Sequence, residues 1–148
     1  MGAIEMMPVV IDTNVFVSAL LFGGTPGKLI PFWKAGKIQP HITSEILSEF
    51  LRVLAYPKFE LTERAIQYLL YVEILPFCTV VTAKPGAVII KEDPSDDIFL
   101  RCCEVAKAKA LISGDSHLLN LKSDRNTQIL TPSRFLKEFR ELLKSRKL

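Results

Sequence analysis

The chain has 148 residues, 49% of them hydrophobic and 24% charged, with a formal net charge of +3. That length suits one domain with a real core, and the composition excludes a disordered chain, a collagen-like repeat and a disulfide scaffold. The longest apolar run with no strongly polar residue, Val15 to Phe22, falls far short of the ~18 residues of a membrane span, so no membrane association is expected. Charge is unevenly placed: Ser133 to Leu148 holds six basic and two acidic residues, a segment of +4 that leaves the rest of the chain at −1. Such a segment suits a solvated helix face or a nucleic-acid contact.

The first five residues show no basic leader, so no secretory signal is expected, and Gly2 has no Ser or Thr at position 6, so neither is myristoylation. Three cysteines, Cys78, Cys102 and Cys103, are odd in number and two are adjacent. This argues against a disulfide framework and for a reducing compartment, so the expected location is the cytoplasm. With only His41 and His117 present, no Cys/His zinc site can be assembled at familiar spacings.

In chain order, Pro8 to Ile11 reads as a buried parallel strand ending at Asp12. Val15 to Phe22 reads as a short helix, and Gly23 to Gly27 as a loop. Thr25 and Pro26 have the cap and first-turn chemistry to open a helix to Ala35, which Pro31 kinks or splits. Lys37 to Ile42 is a second strand, weakened by Pro40. Thr43 or Ser44 caps an amphipathic helix over Glu45 to Tyr56, with Ile46, Leu47, Phe50, Val53 and Leu54 at helical spacing. Pro57 ends it. Thr62 to Leu75 is another helix, Phe77 to Thr82 a third strand, and Lys84-Pro85-Gly86 a turn. Val88 to Ile90 is a short strand or an extended connection. An acid-rich start then leads a helix to about Lys107, with Ile98, Phe99, Cys102 and Val105 inward. Ala110 to Ser113 is a fourth strand, His117 to Leu121 a turn of helix, and Gln128 to Leu130 a fifth strand. Thr131-Pro132 opens a last helix through Leu143 or beyond. Strands alternating with helices imply an α/β fold: a central, mainly parallel sheet covered on both faces. No linker divides the chain, so residues 1–148 are expected to form one domain, with a core over about 7–135 and the basic helix over 132–148.

Ligands of such sheets bind outside the carboxyl ends of the strands. Two strands end there in acids, at Asp12 and, through Gly114, at Asp115. Asp12 follows an apolar run with no cation beside it, which is costly unless the carboxylate is paired, hydrogen-bonded or holding a metal. Asp93, Asp96 and Asp97 crowd the start of one helix, more acids than the helix dipole alone accounts for. Glu45 and Glu49 share a face of another helix. Carboxylates converging on a crevice without a thiolate or a histidine pair suit a hard cation, Mg²⁺ or Mn²⁺. Such an ion activates water and neutralises a phosphodiester.

Four segments in order carry a family resemblance. They are Val10-Ile11-Asp12-Thr13-Asn14, Ser44-Glu45-Ile46-Leu47-Ser48-Glu49-Phe50, Asp93-Pro94-Ser95-Asp96-Asp97-Ile98-Phe99-Leu100 and Leu111-Ile112-Ser113-Gly114-Asp115. Together, over Met7 to Phe135, they resemble a PIN domain, in particular the VapC-like toxins of bacterial and archaeal toxin–antitoxin systems. The resemblance implies a three-layer α/β/α sandwich and a Mg²⁺- or Mn²⁺-dependent endoribonuclease. It implies that Asp12, Glu49, Asp97 and Asp115 are the catalytic and metal-binding acids, with Asp93 and Asp96 as supporting neighbours. Thr13 or Ser113 would hydrogen-bond a carboxylate or the attacking water, and Asn14 would orient the Asp12 loop. An RNA substrate, an antitoxin protein and a homodimer are the implied partners. The chain departs from the family in one place. The family often has an acid two residues beyond the Asp115 position, and here that residue is His117. Basic candidates for RNA phosphates are Lys28, Lys34, Lys37, Lys91 and Arg101, although Arg101 is also spaced to pair with Asp97. Two alternatives stand beside this reading: an RNA- or partner-binding module without catalysis, and an aspartyl phosphatase of the haloacid dehalogenase kind.

Overall fold

The computed structural model describes residues 6–83 and 97–146. Among these residues, six strands form one sheet in the order β3-β2-β1-β4-β6-β5. They are β1 (Met7–Ile11), β2 (Ile38–Ile42), β3 (Thr79–Val80), β4 (Ala110–Ile112), β5 (Ser123–Asp124) and β6 (Thr127–Leu130). All neighbours run parallel except β5, which turns back on β6. The chain leaves β1 for β2 on one side and reaches β4 on the other. The direction of winding therefore reverses between β1 and β4, where open α/β sheets form a crevice.

The central strands are apolar on both faces because helices cover both. Val9, Ile11, Ala110 and Ile112 point to one side, against α1 (Thr13–Leu21), α3 (Ile30–Lys34) and α8 (Pro132–Arg146). Val10 and Leu111 point to the other, against α6 (Asp97–Ala106) and α7 (Ser116–Leu119). This is an α/β/α sandwich with a mostly parallel sheet. The helix α4 (Ser44–Leu54) serves both sides: Ile46 joins the α6 side and Phe50, Val53 and Leu54 the α1 side. Phe16 holds the larger core together, edge-on to Trp33 at 5.4 Å and to Phe50 at 5.9 Å. The basic α8 is part of this core, since Phe135, Leu136 and Phe139 are buried on it while Arg134, Lys137, Arg140 and Lys144 are exposed.

Several boundaries differ from the expectation. Thr25 caps nothing; Gly23, at φ +72°, opens a single turn, α2 (Gly24–Gly27), and Pro31 begins the separate α3. Pro40 sits inside β2 without breaking it. Lys37 offers its carbonyl to β1 and Ile42 offers its own to the β3 side, so the alternation turns Pro40 away from β1, below the point where β3 pairing begins. The helix after Thr62 is α5 (Glu63–Tyr68), which widens into a π-helical stretch over Leu69–Ile74 before Pro76. The third strand is two residues long rather than six. On α6 the buried set is Phe99, Leu100, Cys102 and Cys103, and Val105 is 43% exposed rather than inward. The β5 hairpin was not expected; it is polar and turns through Arg125 at φ +55°. The turn at 84–86 and the extended segment at 88–90 lie outside the described residues.

Burial accounts for the cysteines. It pushes the Cys78 and Cys102 thiols up to about 12 and Cys103 higher, so all three stay protonated and behave as small apolar side chains.

Truncating Phe50 to alanine leaves a hole beside Phe16 that the sheet cannot close. It is expected to cost about 3–5 kcal/mol and to lower Tm by roughly 10 °C, as read by calorimetry.

Candidate active site

The register of β1 on β4 builds the site. Ile11 lies opposite Ile112, so Asp12 and Ser113, the next residues, emerge side by side at the carboxyl edge. The Asp12 N–H donates to the Ile112 carbonyl at 2.9 Å, which carries the ladder one step past the strand. Ser113 Oγ then donates to Asp12 Oδ2 at 2.7 Å and accepts the Asp115 N–H at 3.0 Å. One buried hydroxyl thus ties both acidic strand ends together.

Asp12 also caps α1, its Oδ1 accepting from the Asn14 N–H at 3.4 Å. Thr13 opens that helix, and its Oγ1 donates to Glu49 Oε2 at 2.7 Å. Glu49 is carried by α4, which starts where Thr43 Oγ1 accepts the Ile46 N–H at 3.2 Å. The other oxygen of Glu49 lies 3.7 Å from Arg52. Glu45 is exposed and lies under the charge of Arg101. Asp115 caps the short α7, accepting from the His117 N–H at 2.8 Å, with the half-exposed His117 ring 3.9 Å away.

The structure therefore brings together Asp12, Thr13, Glu49, Ser113 and Asp115. Asp97 is the first residue of α6 and only 1% exposed, on a helix packed against β1 and β2. Asp93 and Asp96 lie outside the described residues, as does Lys91. Of the basic candidates, Lys34 is taken by Glu73 at 2.9 Å, whereas Lys28 and Lys37 are exposed.

Asp12 is 5% exposed, and its carboxyl is held above the ordinary aspartate range. Burial is the main cause; the Ser113 and Asn14 hydrogen bonds oppose it, and the negative charges of Glu49 and Asp115 add to it. A divalent cation beside these acids would reverse that balance by favouring the charged carboxylate. The donors are carboxylate oxygens, the set that Mg²⁺ and Mn²⁺ accept. In donor chemistry and in charge, Asp12, Glu49 and Asp115 fit such an ion. Among the described residues no three His, Cys, Asp or Glu side chains form a closed coordinating group.

Residues 8–117 match the family model of the PIN domain. The chain belongs to the PIN domain family. It is also similar to the uncharacterized protein MJ1680 of Methanocaldococcus jannaschii, with 29% identity over 146 residues, covering 91% of this chain and 93% of that protein. PIN domains are generally nucleases and typically use divalent metals. Membership also decides against the aspartyl phosphatase alternative; the residue two beyond Asp12 is the exposed Asn14 rather than a second acid.

Because Asp12 binds its proton more tightly when folded, its ionisation opposes folding at neutral pH. That penalty fades as pH falls through the folded value toward ~3.9, the unfolded value, where both states are protonated. Asp12→Asn in EDTA is therefore expected to raise Tm at pH 7, with the gain gone near pH 4, as read by calorimetry across that range. Ser113→Ala removes the hydrogen bond that favours the carboxylate, so the Asp12 titration should move further up when followed by carboxyl carbon NMR.

Proposed function

We propose that this PIN domain is a Mg²⁺- or Mn²⁺-dependent endoribonuclease, acting as the toxin of a toxin–antitoxin pair. The observation that carries the reading is the buried Asp12 carboxylate, fixed by Ser113 at the β1/β4 switch point with the charges of Glu49 and Asp115 acting on it. A site that gathers negative charge and receives a polyanion needs a cation between them. Asp12, Asp97 and Asp115 would hold it, with Glu49 as a ligand or as an orienter through water. When bound, the ion supplies Lewis acidity, lowering the pKa of water and offsetting charge on the phosphodiester.

The residues of the chain do the positioning. Ser113 Oγ keeps one Asp12 oxygen fixed, and the Asn14 N–H turns the other. Thr13 Oγ1 holds one Glu49 oxygen by a hydrogen bond, and the other lies 3.7 Å from the exposed Arg52 guanidinium. Water adds in line at phosphorus, the bond from phosphorus to the 3′ oxygen breaks, and the 3′ oxygen leaves with a proton. The homodimer and the antitoxin belong to the same proposal. An RNA- or partner-binding role without catalysis is the second reading.

Purified protein is expected to cleave an RNA panel with Mn²⁺ or Mg²⁺ and not with EDTA. Asp12→Asn and Asp97→Asn, folded by circular dichroism, should each lose at least ~100-fold in rate, consistent with several kcal/mol of charge stabilisation. Cleavage that survives both variants would sink the assignment, and RNA binding without cleavage would favour the second reading. Thr13→Val leaves the ligand in place but frees it, so a loss of about 10–100-fold is expected, with a higher metal requirement.

A further inference from the structure

Helix α1 leads away from the acids along one stripe. Asn14, Ser18 and Phe22 are spaced four apart, so they share a face, and ~12 Å of helix separates the first from the last. At the near end the Asn14 N–H touches Asp12. At the far end Phe22 is 70% exposed, at the C-cap of the helix. A lone exposed phenylalanine needs no explanation, but this one has company. The 3₁₀ turn at Pro57–Phe59 sets the Phe59 ring 6.0 Å from that of Phe22, tilted by 49°. Lys58 Nζ stands 5.1 Å from the centre of the Phe59 ring, and among the described residues it has no ion-pair partner. Between these groups and the α1 stripe, with Val17 at its floor, lies an open cleft of about 370 Å³.

An RNA bound at the acids meets negative charge there, so part of its attraction must come from elsewhere. An aromatic face beside an unpaired ammonium is the combination that holds a single-stranded nucleotide: the ring takes the base, the cation takes the phosphate. Bases inside a duplex are already stacked and gain nothing from such a ring. The charge of the cleft is complementary to a phosphate, and its stripe runs straight to Asp12. We propose that this cleft is a nucleotide subsite, in which an unstacked base packs on Phe22 beside Phe59 while its phosphate meets Lys58. The substrate class rests on the ribonuclease reading above; the subsite adds that the substrate is single-stranded next to the cut.

The test separates stacking from cleavage. The full chain carrying Asp12→Asn, in EDTA, is titrated against a 12-nucleotide RNA containing 2-aminopurine, as a single strand and as a duplex. The single strand is expected to bind more tightly than the duplex, with its fluorescence quenched. Adding Phe22→Ala should abolish the quench and weaken binding by about 10-fold; Phe22→Trp should restore both. Lys58→Ala should weaken binding and flatten its salt dependence while keeping the quench. Failure to bind the single strand, or equal binding and quench by the Phe22→Ala and Phe22→Trp variants, overturns the subsite. If the wild-type protein cleaves RNA in the presence of metal but Phe22→Ala binds unchanged, only the subsite fails. If the wild-type protein never cleaves but the Phe22-dependent quench is seen, only the nuclease reading fails.

Discussion

The hydroxyl of Ser113 joins two acids, Asp12 and Asp115, that lie 103 residues apart in the chain. It can do so because β1 and β4 are neighbours, and they are neighbours because the winding of the sheet reverses between them. Every later contact in the site depends on that adjacency. Ser113 Oγ donates to Asp12 and accepts from the Asp115 backbone, so both lone acids inherit their position from one fully buried side chain. A slip of one residue in the β1–β4 register would set Asp12 against Ile112 and turn the serine to the opposite face of the sheet.

Such a site costs stability. Burial and two neighbouring negative charges both act against the Asp12 carboxylate, and two hydrogen bonds only partly offset them. A marginally stable domain tolerates this because the acids sit at the edge of a well-filled core rather than inside it. Val9 to Ile11 and Ala110 to Ile112 are almost fully buried on both faces, so the strand ends cannot relax away from one another. The strain is electrostatic and local, held by packing that lies one residue below. A cation would convert the same repulsion into binding energy, which is why an acid cluster that weakens the metal-free fold is consistent with a metal-dependent one.

What was legible in the sequence follows from how local each signal is. The all-apolar Pro8 to Ile11 run ending in Asp12, and the Thr43 cap with its helical apolar spacing, are local patterns, and the structure has both. The split of the helix at Pro31 was among the expected outcomes, but the cap before it was misassigned because glycine's φ freedom at Gly23 outweighed the Thr-Pro signal. The β5 strand was illegible because two polar residues carry no alternation. Val105 was misassigned by phase: α6 presses its Phe99, Leu100, Cys102 and Cys103 stripe on the sheet, which rotates Val105 out. The Phe22–Phe59 cleft had no local signal, since its rings are 37 positions apart and meet only through tertiary packing.

Helix α4 shows how packing can specify chemistry without any local motif. Glu45 and Glu49 lie one turn apart and at nearly the same angle on the helix, so orientation does not distinguish them. Position along the axis does. Ile46 anchors the first turn among the residues of the α6 face, where Glu45 is exposed and accepts from Ser44 Oγ at 3.1 Å. Phe50, Val53 and Leu54 anchor the following turns against Phe16 and its neighbours, which brings the middle of the helix level with the start of α1. Glu49 is therefore the one of the two that meets Thr13. Beyond it α4 carries Arg52 and ends at Leu54, and the chain then passes through Tyr56 into the Pro57–Phe59 turn, which holds the Lys58–Phe59 wall of the cleft. The apolar face of α4 thus fixes both ends of the groove, acid at one and aromatic at the other. A change in its packing phase would displace the candidate ligand and the candidate base platform together.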